Sequence, residues 1–142
     1  MKPSLRIVLA IIFLLLISCV CIGITLYIQP QKPKEFVNYQ ITPYTLEGHK
    51  LHLIVADDTN KWVKGLMFVE RNFSYDGMLF VFPDKQYRTF WNKNTFVDLD
   101  LYWINDGTVV GKSFLPSIRK SKTITTVHSP DTADTVIEVI RK

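Results

Sequence analysis

A chain of 142 residues with 47% apolar content and a formal charge of +4 has room for one domain and an appendage. Its charge is unevenly placed: Lys2, Arg6, Lys32 and Lys34 against Glu35 supply +3 within residues 1–35, and the 13 basic and 12 acidic residues beyond leave only +1. That near-neutral remainder excludes the broad basic face on which nucleic-acid binding depends, so no nucleic-acid partner is expected.

Residues 7–28 carry no charge. As a helix this run would be roughly 33 Å long, enough to cross a hydrocarbon core of about 30 Å. Lys2 and Arg6 precede it, so the positive-inside bias keeps residues 1–6 in the cytoplasm and sends the rest of the chain out. The expectation is a single-pass anchor in the cell membrane, with the N-terminus cytoplasmic and everything after it extracytoplasmic. Leu16-Ile17-Ser18-Cys19 also fits a lipoprotein signal acylated at Cys19, although residues 20–28 are almost wholly apolar where a lipoprotein begins with a polar tether. Cleavage by ordinary signal peptidase is a third possibility, and all three place the same domain outside. Cys19 and Cys21 both fall in the apolar run, so no disulfide holds the exported part together. Residues 29–35, with Pro30, Pro33, two lysines and two glutamines, read as an extended tether.

From residue 36 to residue 142 the apolar runs are short and separated by turn signals, as in a mainly β domain. Strands over 42–46 and 50–55 flank Glu47-Gly48-His49, a hairpin signal. His49 and His52 stand an odd number of residues apart, so one strand would point them to opposite faces, and His128 is distant; no metal site is expected. Asp57-Asp58-Thr59 caps a short helix that Gly65 stops, with Trp62 and Leu66 on the face that covers an open end of the sheet. The continuous apolar run 78–82 reads as the central strand, buried on both faces, ended by Pro83-Asp84 and flanked by strands over 87–91 and 98–104. Asn105-Asp106-Gly107 turns the latter into 108–112, and the runs 123–127 and 135–140 close the domain.

Residues 90–103 mix five aromatics with Asp98, Asp100, Lys93, Asn92 and Asn94. Together with Gly65-Leu66-Met67, Asp76-Gly77-Met78-Leu79-Phe80-Val81-Phe82, Phe90-Trp91, Lys93-Asn94-Thr95, Leu99-Asp100, Asp106-Gly107 and Val136-Ile137-Glu138-Val139, they make the chain resemble the domain of unknown function 192 family. The resemblance runs from about Leu53 to Val139. It implies a compact β-barrel or sandwich-like domain, mainly β but α+β by count, often exported or membrane-anchored in prokaryotes, with no agreed activity. Asn92 stands where the family usually has methionine, and Asp98 where it usually has a small residue or proline. The chain also ends soon after the strand holding Glu138, without the family's further strand, so an open edge is expected there.

Asp98 and Asp100 would share one side of a strand, with α-carbons roughly 7 Å apart, a spacing that suits a cation or an acid–base pair. No Gly-x-Ser-x-Gly, exported cysteine or phosphate-binding glycine loop accompanies them, and nothing calls for a cofactor. Trp91, Lys93, Asn94, Thr95 and Asp100, with Asn92, Asp98 and Tyr102 behind them, form the candidate polar cluster, for ligand binding or for structure. Asp100 is expected to pin the bend at Lys93-Asn94-Thr95 through hydrogen bonds, and Asp98 to be dispensable. The run Arg119-Lys120-Ser121-Lys122 reads as a solvated loop with some reach toward anionic lipid or polymer. The functional reading is a binding or interaction module for a polar ligand or envelope partner, with an envelope hydrolase using Asp98/Asp100 as the alternative.

Overall fold

Short alternating apolar runs, punctuated by tight turns, build a mainly β domain with two short helices. The computed structural model describes residues 36–142; the expected cytoplasmic segment 1–6, anchor 7–28 and tether 29–35 lie outside the described residues. Among the described residues, no helix is long and apolar enough to cross a membrane. In chain order the elements are β1 (Ile41–Leu46), β2 (His49–Ala56), α1 (Thr59–Lys64), β3 (Gly77–Gln86), β4 (Thr89–Trp91), β5 (Leu99–Asn105), β6 (Thr108–Leu115), α2 (Ile118–Ser121), β7 (Thr126–His128) and β8 (Ala133–Ile140).

Local chemistry sets the turns. Glu47 and Gly48 (φ 50° and 84°) and Asp106 and Gly107 (φ 47° and 75°) are left-handed pairs, as a two-residue I′ hairpin turn requires, and they close β1–β2 and β5–β6. Asp58 caps α1 by accepting from the Lys61 N–H at 3.0 Å. At the other end the Gly65 N–H donates to the Lys61 carbonyl at 2.9 Å, with φ 47° and ψ −140°, a conformation that only glycine adopts without strain.

Six strands form one sheet in the order β1-β2-β3-β8-β5-β6, and β4 pairs with β7 in a separate ribbon. The sheet is not closed, so of the barrel or sandwich-like domain expected the barrel does not form. β2 and β3 run parallel through the crossover that contains α1, so the two hairpins finish at opposite edges, β1 and β6, which never meet. The neighbours of β3 are β2 and β8, not the 87–91 and 98–104 runs. Pro83 did not end β3 either: the strand continues to Gln86 across a register shift between Val81 and Gln86, where an irregular ladder tolerates a residue without an N–H. Past that irregularity the chain leaves the sheet, and residues 89–91 pair with β7. Nor does β8 form an open edge, since it lies between β3 and β5.

The core is concentrated on one side. Met78, Phe80, Leu101, Trp103 and Val136 point from the sheet into the larger cluster, roofed by Phe36, Leu66, Val69 and the half-buried Phe90 and Val127. The opposite face carries a smaller cluster of Leu46, Leu53, Ile104 and Ile137. Accordingly β3 buries one face well rather than both: Met78 and Phe80 are sealed while Val81 is exposed. At its start Gly77 lies so close to β8 that a Cβ would fall 1.8 Å from the Glu138 carbonyl oxygen, so no side chain fits there.

Candidate functional site

Strand parity places Val136, Glu138 and Ile140 on the core face of β8, which puts one carboxyl among apolar side chains. Glu138 is only 4% exposed, and its Oε2 has no hydrogen-bond partner. Burial pushes its carboxyl up to about 8, so the side chain is neutral at pH 7. A buried polar atom left unpaired costs about 1–3 kcal/mol, and few native groups tolerate it without a role.

Above Glu138 a crevice of about 20 Å³ runs between α1 with Gly65 on one side and Phe90, Trp91, Lys93 and Thr95 on the other. That is room for about one water-sized group. Gly65 keeps it open, because a Cβ there would stand 3.9 Å from Oε2 and 3.6 Å from the Phe80 ring. Outward, the crevice shares Trp62, Val63, Phe90 and Trp91 with a cleft of about 430 Å³ whose other walls are Phe82, Tyr87, Arg88 and Thr89. The Trp62 indole is fixed by donating to the Ala56 carbonyl at 3.0 Å and packs on Phe82 at 5.0 Å between centroids. Arg88 lies 3.9 Å from the Phe82 ring centroid, donates through Nε to the Ala133 carbonyl at 3.0 Å and pairs with Asp84 at 2.6 Å.

The two walls are tied at one point. The Phe68 N–H donates to the Asn94 carbonyl at 2.8 Å, and both residues are left-handed, with φ 66° and 54°. For a bulky phenylalanine that conformation costs on the order of 1–3 kcal/mol, and such strain clusters where a surface must keep a set shape. Val63, Phe68, Tyr87 and Trp91 remain exposed around this region.

Of the residues singled out from sequence, Trp91, Lys93 and Thr95 line the crevice, and Asn94 supplies its tie through the backbone. Lys93 Nζ stands 5.1 Å from the Trp91 ring centroid. Asp100 is not part of the group. It pairs in register with Val139 while Leu101 pairs with Glu138, so Asp100 and Tyr102 face the opposite side of the sheet. There Asp100 meets Arg141 at 3.1 Å, and the Lys112 ammonium sits 4.8 Å from the Tyr102 ring centroid. The pin at the bend is Asn92 instead. Fully buried, it donates through Nδ2 to the Pro116 carbonyl and the Ser121 hydroxyl, both at 2.8 Å, and accepts the Thr125 N–H on Oδ1 at 2.8 Å.

Asp98 is also anchored rather than dispensable. It precedes β5 and accepts the Ser117 N–H at 2.8 Å and the Lys120 ammonium at 3.2 Å. Burial opposes its ionised form, yet these two donors hold its carboxyl below the ordinary range. Asp98 and Asp100 thus serve different partners and form no carboxylate pair. A second depression, about 550 Å³, lies beside Asp98 and Arg119, and of its three lining cations Arg119 is paired with Glu70 and Lys120 with Asp98, Arg71 being the third. Among the described residues, no group of three or more His, Cys, Asp or Glu gathers to hold a metal.

The profile of the DUF192 family, described as "Uncharacterized ACR", matches residues 42–142. The chain belongs to this family. No curated protein matches it. Among solved structures it is similar to a "putative transcription regulator" from Sinorhizobium meliloti 1021, with 28% identity over 72% of this chain and 79% of that one, at a TM-score of 0.57. A protein of unknown function from Novosphingobium aromaticivorans DSM 12444 shares the fold, at 20% identity over 79% of this chain and 88% of the other, with a TM-score of 0.51. The DUF192 name carries no reaction, so function rests on the site. Sequence reasoning passed over Glu138 as a member of a family motif. The available signal was an acidic residue alone in the apolar run 136–140.

Proposed function

We propose that this DUF192 chain is a membrane-anchored, extracytoplasmic binding module whose ligand occupies the cleft between α1 and residues 88–95. One observation carries the reading: an aromatic cleft of about 430 Å³ leads inward to a buried, unpaired carboxyl. Small-molecule sites have this character, with mostly apolar walls and a few placed polar groups. The hydrolase alternative needs Asp98 and Asp100 at one centre, and their separate partners favour the binding module. A thermal-shift screen of small aromatic and polar compounds on the full chain in nonionic micelles tests it. Stabilising compounds are expected to lose their effect in Trp91→Ala; an effect unchanged by that substitution would place binding elsewhere.

The same proposal assigns residues 1–6 to the cytoplasm, 7–28 to the membrane, 29–35 to a tether and 36–142 to the exterior. The uncharged run behind Lys2 and Arg6 supports it, and acylation at Cys19 is the competing form of anchor. An alkaline phosphatase fused after Lys142 is expected to be active in a bacterial host, and an inactive fusion would refute the topology. Acyl labelling lost in Cys19→Ser would select the lipoprotein.

A further inference from the structure

We propose that the ligand of this cleft is an aromatic carboxylate, and that Glu138 is the specificity-determining residue, donating a hydrogen bond to one carboxylate oxygen at the crevice's inner end. The inference rests on the binding reading above and adds the chemical class. Three observations converge on it. Glu138 Oε2 is sealed from solvent and unpartnered, and the space before it admits one water-sized group, so whatever enters must pair with this carboxyl. The walls leading there are the rings of Trp62, Phe82, Phe90 and Trp91, which suit a flat apolar body.

Charge decides the sign. The charged or titratable groups facing crevice and cleft are Lys64 from α1, Arg88 and Lys93 from either side of β4, Tyr87 at the rim and Glu138 from β8. Arg88 is already paired with Asp84, so the sign at the mouth is set by the Lys93 ammonium beside Trp91, while Glu138, the acidic group among them, is pushed up to about 8 by burial and offers an O–H donor at the floor. An ammonium ligand would meet the like charge of Lys93 at the mouth and find at the floor a neutral carboxyl in place of a counter-ion. A carboxylate meets the opposite charge of Lys93 at the mouth and accepts a charge-assisted O–H···O⁻ bond at the floor, among the stronger hydrogen bonds available to a protein.

The test uses three probes with one aromatic body: phenylacetate, phenylacetamide and phenethylamine. Each is titrated into the full chain in nonionic micelles while tryptophan fluorescence is followed; Trp62 and Trp91 line the cleft, and Trp103 is buried in the core. At about pH 6.5 phenylacetate is expected to bind at least about tenfold tighter than phenethylamine. Between about pH 7 and 9 its affinity should fall about tenfold as Glu138 ionises through about 8. Glu138→Gln keeps an N–H donor, so phenylacetate binding should survive and its pH dependence disappear. Glu138→Leu, an apolar residue in an apolar setting, should fold and lose the preference among the probes. Tightest binding by phenethylamine, or a pH dependence unchanged in Glu138→Gln, would overturn the proposal. Equal binding of all three, abolished by Trp91→Ala, would overturn it while leaving the cleft as a binding site. No fluorescence response to any probe would overturn both.

Discussion

Replacing Glu138 by leucine should stabilise the domain, and by an amount that depends on pH. The folded carboxyl stays protonated up to about 8, whereas in the unfolded chain it ionises near its ordinary 4.5. Between those values folding takes up a proton, so stability is full below about 4.5 and drains away as pH rises toward 8. At about 1.4 kcal/mol per unit, the loss is on the order of 3 kcal/mol by pH 7 and 5 kcal/mol when complete. That is large beside the 5–15 kcal/mol that holds a typical domain together. Leucine carries no such term and leaves no unpaired oxygen. Urea unfolding of parent and Glu138→Leu, followed by far-ultraviolet circular dichroism at about pH 5, 6, 7 and 8, should show a gap that widens with pH and levels off above 8. A constant gap, or a parent that gains stability relative to leucine over this range, would mean that Glu138 is ionised in the fold and that its burial has been misread.

Asn92→Ala strands the Thr125 N–H and the Pro116 carbonyl in the interior and should cost about 2–4 kcal/mol in urea unfolding, with coupling to Ser121→Ala of about 1 kcal/mol. Additive effects would deny that Asn92 pins the bend. Phe80→Ala, which empties the centre of the larger cluster, should cost about 3–5 kcal/mol, and a loss under about 1 kcal/mol would misplace the core. The two aspartates should separate in the opposite order to that expected from sequence: Asp98→Ala loses a backbone N–H bond worth about 1–2 kcal/mol, while Asp100→Ala loses an exposed ion pair worth under about 1 kcal/mol. Equal melting temperatures for the two variants would contradict the anchoring of Asp98.

What could be read in advance was local. The Glu47-Gly48 and Asp106-Gly107 turns, the Asp58 cap and the Gly65 stop are each decided within a few residues, and each stands where its chemistry points. The failures were of long range. Asn92 was conspicuous as an amide among aromatics, but its partners lie 24 to 33 residues away, and no spacing rule reaches them. Asp100 looked like the pin because alternation identifies two faces without saying which one meets the bend; only the pairing of Leu101 with Glu138 decides that. The same register brings Glu138 beneath Trp91, Lys93 and Thr95, so the crevice was half visible and its floor was not. The barrel alternative failed because the parallel β2–β3 crossover is a topological choice that the apolar pattern of either strand leaves open.

The place of β8 has a further bearing on how this chain comes to exist. β1, β2 and β3 make one half of the sheet and the β5–β6 hairpin the other, and β8 is the strand that joins them. Of the described strands it is synthesised last. Until it emerges, the earlier segments have no ladder between them, and the faces of Met78, Phe80, Leu101 and Trp103 have no common neighbour to close against. The two hairpins are local, but the sheet as a whole can be completed only late, because the ladders that join its halves span long sequence separations. Under the topology proposed above, that delay would keep the domain loose enough to cross a membrane and postpone its sheet until the far side.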